Sequence, residues 1–338
     1  MLYQLLKYSI TFGLQAFHKK IVFYGLSNVP KNKPVLFLPN HQNALVDVLL
    51  IGTNCNRKPY FLARSDVFSK SMLRTFFNYL KMIPVYRLRD GRDTVSRNHE
   101  IFETCAQLLK KGEALTMFPE ANHNLRRRVR PLSKGFTRVL FKALEYAPEL
   151  DIQIVPVGLN YQNAELFPDS AAVYYGVPIS VQELYDSNDL VGSALKIRNA
   201  VAASLKELTT HVEPEIEYDE IIDYLNGENV NFLDPTAVNI RVKKWDSNAD
   251  YIKKEKTSKS ILPVILRPLF LLINLPILIV WKLLLKPKIW EPEFTGTLRF
   301  ATAFIGFIVY LSILFLVLSF SLNLFWAAGI IIVIMLFN

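Results

Sequence analysis

Residues 35–54 read VLFLPNHQNALVDVLLIGTN, and this stretch sets the repeating unit of the fold. Residues 35–38 are an unbroken apolar run of strand length, whereas residues 39–43 contain Pro, Asn, His, Gln and Asn, which are typical of a turn. An apolar stretch of helical length follows at 44–54. We therefore predict a strand, a loop and a helix in succession, which is the unit from which parallel sheets are built.

The same alternation continues from residue 21 to about residue 211. Short apolar runs predict strands at 35–38, 60–63, 83–86, 114–118 and 152–157. Helices are predicted between them, at 44–54, 69–80, 92–111 and 134–147, with a closing helix near 190–210. The predicted fold is α/β, a mostly parallel sheet covered by helices over residues 21–211. Residues 212–260 are rich in Asp, Glu, Asn and Lys and are predicted to be a polar connector.

An amphipathic helix is predicted at the N-terminus, over residues 1–20. Polar side chains recur there at steps of three and four residues, which places them in one stripe on an otherwise apolar helix; they are Gln4, Lys7, Thr11, Gln15 and His18. This pattern favours a helix that lies in the membrane interface. An ordinary helix packed on a soluble core shows similar stripes, and this alternative stays open.

The C-terminal part, residues 261–338, is predicted to be a membrane region. No charged residue or His occurs in 300–338, which is about twice the ~20 residues that one span needs, so a helical hairpin turning near 319–323 is favoured. Residues 261–285 are also apolar, but Arg267, Asn274, Lys282 and three prolines interrupt them. We predict a re-entrant or interfacial segment there. Lysines flank it on both sides, which favours a cytoplasmic position for both ends.

The composition restricts the partners. The chain of 338 residues has 39 basic and 30 acidic residues, and 51% of its residues are hydrophobic. A basic and apolar chain suits an anionic membrane surface better than nucleic acid. The two cysteines, Cys55 and Cys105, are too few for a disulfide framework and suit a reducing compartment. Neither lies in a ligand-spaced cluster with His, so no metal site is predicted.

A candidate for catalysis lies in the loop and helix of the opening stretch. His41 and Asp47 are six positions apart and would point about 240° from each other on one continuous helix. They can meet only if His41 lies in the loop before the helix. An Asp that holds one nitrogen of a His leaves the other nitrogen free to take a proton from an attacking hydroxyl. Taken alone, such a pair is also compatible with two incidental polar residues.

Four blocks, in this order, carry a resemblance to a known family. They are residues 40–47, residues 83–87 (IPVYR), residues 118–120 (FPE) and residues 154–157 (IVPV). Together they resemble the glycerol-3-phosphate and lysophosphatidate acyltransferase superfamily, and the resemblance covers roughly residues 21–185. It implies an acyltransferase domain at 21–211. Together with the apolar C-terminal region, the sparse cysteines and the flanking lysines, the sequence predicts an integral membrane protein whose catalytic domain faces the cytoplasm.

The family pattern implies roles for four residues. His41 would be the base, Asp47 would orient it, Arg87 would bind the acceptor phosphate and Glu120 would help to hold the acceptor. The implied co-substrate is acyl-CoA or an acyl carrier protein, without a further cofactor. The implied acceptor is glycerol-3-phosphate or 1-acylglycerol-3-phosphate. A lyso-aminolipid acceptor and a non-catalytic membrane-anchored homologue are the alternatives.

The chain departs from the usual family pattern at two places. Five residues separate His41 and Asp47 instead of four, a spacing that resembles yeast and plant glycerol-3-phosphate acyltransferases. Ala121 replaces the usual Gly of the third block, which implies either a backbone that needs no positive φ or one that tolerates strain. His123 stands near the expected basic position and is assigned to phosphate binding, with an ordinary loop His as the alternative.

A dense cationic loop follows the third block. Arg130 and Lys134 match the basic, proline-flanked end of that block and are assigned to the acceptor or to the phosphates of the carrier. The run at 126–128, three arginines, is either part of the site or a solvated surface near lipid headgroups. Arg64, which follows a predicted strand, is a weaker candidate that could pair with Asp66.

Overall fold

The computed structural model describes residues 2–68, 75, 77, 79–86, 97–245 and 262–337. Its strands are β1 (Lys20–Tyr24), β2 (Val35–Pro39), β3 (Tyr60–Arg64), β4 (Met82–Val85), β5 (Ala114–Thr116), β6 (Gln153–Tyr161), β7 (Ser170–Tyr175) and β8 (Ile179–Ser180). Its helices are α1 (Leu2–Phe17), α2 (Ala44–Asn54), α3 (Arg97–Lys110), α4 (Gly135–Tyr146), α5 (Leu190–Leu208), α6 (Tyr218–Gly227), α7 (Pro235–Lys243), α8 (Leu262–Ile273), α9 (Leu275–Ile279), α10 (Thr295–Ser321) and α11 (Leu324–Phe337).

The strands form one mixed sheet in the order β1-β7-β6-β2-β5-β3-β4, with β8 paired to β6. Only the pairs β6–β7 and β6–β8 are antiparallel; the other pairs are parallel. β2 lies near the centre, since Leu36 pairs with Leu115 of β5 on one side and with Ile154 of β6 on the other. The predicted α/β class with a mostly parallel, helix-covered sheet is confirmed.

Alternate side chains of β2 fill two cores on opposite faces of the sheet. Val35 and Phe37 belong to a core shared with α1 and α2, whereas Leu36 and Leu38 belong to a core shared with α3, α4 and α5. All four side chains are fully buried. A strand that is covered on both faces has no polar face, which is why residues 35–38 are continuously apolar rather than alternating.

The predicted and observed elements differ at several places. The sequence pattern does not predict the strands β1, β7 and β8; β8 has only two residues, and β7 begins with Ser and two alanines, which carry little strand signal. The predicted helix at 44–54 coincides with α2, and those at 134–147 and 190–210 shrink by a residue or two at their ends. Most of the helix predicted at 69–80, and residues 92–96 of the next, lie outside the described residues.

The N-terminal helix packs by one side only. Ile10, Leu14 and Phe17 are buried in the core with α2, whereas Leu5, Tyr8 and Phe12 are 63–71% exposed. The exposed apolar side chains recur at steps of three and four residues and therefore share one face of the helix. Interfacial binding by this face stays a prediction.

Residues 212–245 contain more structure than a polar connector. The helices α6 and α7 enclose a small core of their own; it consists of Val212, Tyr218, Ile221, Leu225, Val230, Phe232 and Val238. The composition of this stretch does not predict a folded unit, because its apolar residues are spaced among many acidic and amide side chains. Residues 246–260 of the predicted connector lie outside the described part of the chain.

The C-terminal region is helical from Leu262 onward. α8 and α9 are separated only by Asn274, and hydrogen bonds from Asn274 N to Phe270 O and from Leu278 N to Asn274 O continue the helical pattern across it. Asn274 is therefore a one-residue break between the two helices, and the re-entrant or interfacial position of residues 261–285 stays a prediction. Within the described residues, Pro292–Ser321 is one stretch long and apolar enough to cross a membrane, and the break before α11 falls at residues 322–323.

Candidate active site

The His41 imidazole and the Asp47 carboxylate form a hydrogen-bonded pair at the carboxyl end of β2. The His41 Nδ1 to Asp47 Oδ2 distance is 2.7 Å. His41 precedes α2, as the sequence argument required, and Asp47 lies in the first turn of that helix. Among the hydrogen bonds of the described residues, none engages Nε2 of His41. The imidazole thus has one nitrogen held by a carboxylate and one available for a substrate proton.

Asp47 is fully buried, and both of its carboxylate oxygens accept hydrogen bonds. Besides His41, Oδ2 accepts hydrogen bonds from the backbone amides of Gln42 (2.8 Å) and Asn43 (2.9 Å), and Oδ1 accepts one from the Tyr161 hydroxyl (2.6 Å). Burial, together with the Asp47 charge, raises the pKa of Tyr161 well above its usual value, so Tyr161 donates as a neutral phenol. A buried carboxylate held this way stays fixed in position.

The loop that carries His41 is tied to its neighbours on both sides. The Asn40 side chain donates to Leu159 O (3.0 Å) and accepts from Leu159 N (2.7 Å), which joins the end of β2 to β6. The backbone amide of Asn124 donates to His41 O (2.9 Å). The Phe118 ring stacks on the His41 ring at a centroid distance of 3.8 Å. These contacts fix the imidazole and link it to the third block.

Glu120 of the third block is paired with Arg130. Its Oε2 accepts from Arg130 Nη2 (2.7 Å) and Nε (3.0 Å), and Arg130 also contacts Asn122. Burial raises the pKa of the Glu120 carboxyl, while Arg130 opposes this shift. Glu120 and Arg130, which the sequence assigns to substrate binding separately, therefore form one ion pair beside His41. In this structure the carboxylate and the guanidinium bind each other.

Ala121 adopts a left-handed backbone conformation with φ of 67°. Of the two alternatives implied by the replacement of Gly, the structure contains the strained one, since a residue with a Cβ atom is disfavoured there by roughly 1 kcal/mol. The turn is held by the hydrogen bond from Ala121 N to Phe118 O (3.2 Å).

We expect the substitution Arg130→Met to lower the unfolding free energy by roughly 2–3 kcal/mol, because it leaves a buried carboxylate without its cation. The folded pKa of Glu120 lies above its usual value, so ionisation of Glu120 costs stability as the pH rises. The difference in unfolding free energy between the parent and Arg130→Met should therefore become smaller at acidic pH, where Glu120 is protonated. The apparent Tm of both proteins, measured in detergent from acidic to neutral pH, checks this.

Arg128→Met is the matched control for this substitution. Arg128 pairs with Glu215 at 3.1 Å, but the Glu215 side chain is 74% exposed. Loss of such a surface pair costs about 1 kcal/mol or less. Equal losses of stability in the two variants would show that the Glu120–Arg130 pair contributes no more than a surface contact.

His123 contacts a residue that the sequence analysis did not select. Its Nε2 lies 2.7 Å from Oε2 of Glu291, and its ring meets the His41 ring edge-on at a centroid distance of 5.5 Å. Arg64 also approaches Glu291, at 3.6 Å, while the predicted pairing of Arg64 with Asp66 stays a prediction because the Asp66 side chain is not described. Glu291 carries no local motif, so no sequence signal marked it.

The arginines at 126–128 contact the unit formed by residues 212–245. The Arg126 guanidinium lies over the Tyr218 ring at 4.7 Å, and that of Arg127 lies over the Phe232 ring at 3.7 Å. Arg128 pairs with Glu215. These contacts give the run a structural role. Arg126 and Arg128 also line a small polar cavity, open to solvent, together with His41 and Glu120.

Two further predicted site residues are Lys134 and Arg87. Lys134 is exposed at the start of α4, and Arg87 lies outside the described residues. Within the described part of the chain, no group of His, Cys, Asp or Glu has the arrangement of a metal site. A second cavity, of about 480 Å³, lies between α1 and α2 and is lined mainly by apolar side chains, including Leu6, Ile10, Leu45, Leu49 and Phe61.

Comparisons with known proteins find similarity to acyltransferases. The family model described as Acyltransferase matches residues 20–160. A chloroplastic 1-acyl-sn-glycerol-3-phosphate acyltransferase of Brassica napus is 26% identical over 136 residues, which are 40% of this chain and 36% of that protein. Glycerol-3-phosphate O-acyltransferase 1 of Saccharomyces cerevisiae is 24% identical over 125 residues, 37% of this chain and 15% of that protein.

Among solved structures, the 1-acyl-sn-glycerophosphate acyltransferase of Thermotoga maritima aligns at 18% identity with a TM-score of 0.42, covering 60% of this chain and 79% of that one. The matches with the curated relatives cover 36% of the length of the Brassica protein and 15% of the length of the yeast protein. The part of the chain that matches the family model, residues 20–160, holds His41, Asp47 and Glu120.

Proposed function

We propose, from the premise that residues 20–160 form an acyltransferase domain, that this chain transfers a fatty acyl group from acyl-CoA or an acyl carrier protein to glycerol-3-phosphate or 1-acylglycerol-3-phosphate. The observation that carries the proposal is the His41–Asp47 pair with its free Nε2. The printed names of the relatives support the choice of acceptors. The product would enter phospholipid synthesis.

The chemistry requires no nucleophile from the protein. Nε2 of His41 takes the proton of the acceptor hydroxyl as its oxygen forms a bond to the thioester carbon, and the carbonyl electrons move onto the carbonyl oxygen. Asp47 stabilises the imidazolium that forms. Collapse of the intermediate restores the carbonyl and breaks the carbon–sulfur bond, and the thiolate takes the proton back from His41. The products are an ester and a free thiol.

The polar cavity beside His41 supports an anionic acceptor. Arg126 and Arg128 line it, and a guanidinium binds phosphate through parallel hydrogen bonds. Arg87, Arg130, Lys134 and His123 remain assigned to substrate binding as predictions. Glu120 would act with Arg130 as a pair, because a buried carboxylate alone would repel a phosphate.

The proposal is tested by incubating the purified full-length protein with a labelled acyl donor and a panel of acceptors. The panel contains glycerol-3-phosphate, 1-acylglycerol-3-phosphate and a lyso-aminolipid, each offered with acyl-CoA and with acyl carrier protein. We expect labelled ester from a phosphorylated glycerol acceptor. Ester from the lyso-aminolipid alone would change the acceptor, and the absence of ester from every pair would favour a non-catalytic homologue.

We further propose that the protein is membrane-integral, with the catalytic domain and residues 286–294 on the cytoplasmic side. The exposed apolar face of α1 and the apolar stretch Pro292–Ser321 support membrane association. Lys282, Lys286 and Lys288 favour a cytoplasmic position for the segment that precedes α10.

The orientation is tested with Trp290→Cys in a protein whose buried Cys55 and Cys105 are replaced by Ala. Trp290 is 77% exposed, so a thiol at this position is accessible to a reagent on its own side of the membrane. We expect an impermeant thiol reagent to leave intact cells unlabelled and to label the protein after the membrane is opened. Labelling in intact cells would place residue 290 outside.

A further inference from the structure

The segment that leads into the long apolar helix α10 reaches the catalytic residues. Glu291, just before the helix, lies 2.7 Å from His123 through its Oε2 and 3.6 Å from Nη1 of Arg64. The Phe294 ring meets the His123 ring edge-on at a centroid distance of 4.8 Å. The family match ends at residue 160, so this contact comes from a part of the chain to which no function is assigned.

The start of α10 is fixed to the loop and helix that hold the catalytic pair. The Thr297 hydroxyl donates to Asn43 O (3.2 Å) and accepts from Val46 N (3.3 Å). Gly296 lies so close to the Asn43 side chain that a Cβ atom there would come within 2.4 Å of Asn43 Oδ1. Because Asn43 and Val46 lie between His41 and Asp47 in the chain, these contacts give the segment from Glu291 to Thr297 a defined position relative to His41.

Glu291 determines which nitrogen of His123 carries the proton. A carboxylate accepts hydrogen bonds, so the Nε2 that faces it must hold hydrogen. The neutral His123 ring then has a lone pair on Nδ1, which has no hydrogen-bond partner among the described residues. This matches His41, where the carboxylate holds Nδ1 and leaves Nε2 free.

The charged groups around His123 favour this neutral form. Burial lowers the pKa of His123 and the neighbouring His41 adds to the effect, while Glu291 and, more weakly, Glu293 oppose it. Arg64 shares the Glu291 carboxylate. A neutral imidazole with a free lone pair accepts a hydrogen bond, in contrast to the phosphate-binding cation that the sequence suggested.

We propose that Glu291 is a positioning residue of the active site, which holds the His123 imidazole beside His41 so that Nδ1 accepts a hydrogen bond from a hydroxyl of the acceptor. The inference rests on the proposed acyl transfer. The thioester group offers no hydrogen-bond donor, whereas a glycerol acceptor offers hydroxyls. His123 therefore serves the acceptor, and the segment that holds it, Glu291 to Phe294, lies directly before α10.

The variant Glu291→Gln tests this role. Gln keeps the size of the side chain but loses the charge, and its amide can also donate to Nε2, so the tautomer of His123 is no longer fixed. We expect the KM for the acceptor to rise about tenfold, while the KM for the acyl donor stays within about twofold of the parent value. An increase in the KM for the donor instead would overturn the assignment.

Glu293→Gln is the matched control, because it removes the same charge two residues away, from a side chain without a hydrogen bond to His123. We expect its kinetics to stay within about twofold of the parent. The double variant His123→Ala with Glu291→Gln should be no more impaired than His123→Ala alone, since Glu291 acts through His123. Equal effects of the two Gln variants, or additive losses in the double variant, would overturn the proposal.

A spectroscopic measurement separates this proposal from the proposed acyl transfer, because it needs no turnover. In protein labelled with ¹³C at histidine Cε1, the titration midpoint of His123, assigned by its loss in His123→Ala, should move to lower pH in Glu291→Gln. The sign follows because the carboxylate opposes the lowering of the His123 pKa by burial. The shift should be smaller in Glu293→Gln. An unchanged midpoint in Glu291→Gln would show that the pair does not exist in solution, whether or not the protein transfers acyl groups.

Discussion

Replacing His41 by Ala should reduce acyl transfer by about 10²- to 10⁴-fold, because a general base typically contributes that much to the rate. The side chain is 14% exposed and, within the described part of the chain, makes one hydrogen bond, through Nδ1, so its removal should leave the two cores of the sheet intact. The measurement is kcat with saturating acyl donor and acceptor, on protein whose gel-filtration profile and circular dichroism match the parent.

His99→Ala is the control for His41→Ala. His99 lies exposed on α3, so its loss should leave kcat unchanged. Retention of more than a tenth of the parent activity in His41→Ala would show that His41 is not the base. Loss of activity in both variants would indicate a general sensitivity of the fold rather than a catalytic effect.

The pairing of His41 with Asp47 follows from the sequence because both residues belong to one strand-loop-helix unit. An apolar run of strand length, a polar loop and a helix of known period leave one arrangement in which residues six positions apart meet, with His41 in the loop. The structure has this arrangement. Such local geometry is encoded in local sequence, which is also why the bounds of α2 were predicted closely.

The remaining parts of the site depend on contacts between distant parts of the chain. Tyr161 reaches Asp47 across 114 positions of the sequence, and Glu291 reaches His123 across 168. Neither contact produces a signal in the periodicity, composition or motif spacing of the sequence. The same limit applies to β7, which joins β1 in parallel and β6 in antiparallel orientation, since strand order is set by packing of the whole sheet.

The basic loop after the third block illustrates a second limit. A run of arginines predicts positive charge, but side chains elsewhere decide whether that charge is free. Glu120 binds Arg130 and Glu215 binds Arg128, whereas Tyr218 and Phe232 cover Arg126 and Arg127. The number of cations available to a phosphate is therefore smaller than the sequence suggests, and the folded unit at 212–245 is responsible for much of the difference.

The environment of Asp47 allows its charge to be removed without removing its contacts. In Asp47→Asn, the amide oxygen can take the place of Oδ2 and accept from His41, Gln42 and Asn43. The amide nitrogen then faces the Tyr161 hydroxyl, whose oxygen can accept where its hydrogen donated before. The variant is therefore expected to fold.

Asp47→Asn should nevertheless lower kcat by about 10²-fold or more, because the neutral amide does not stabilise the imidazolium that forms when His41 takes the hydroxyl proton. Tyr161→Phe is the matched control, since it removes one of the four hydrogen bonds to Asp47 but keeps the carboxylate charge. We expect Tyr161→Phe to lose stability by about 1–2 kcal/mol while its kcat falls far less. If Asp47→Asn instead turned over like Tyr161→Phe, the charge of Asp47 would have no part in catalysis, and the carboxylate would only hold the loop in place.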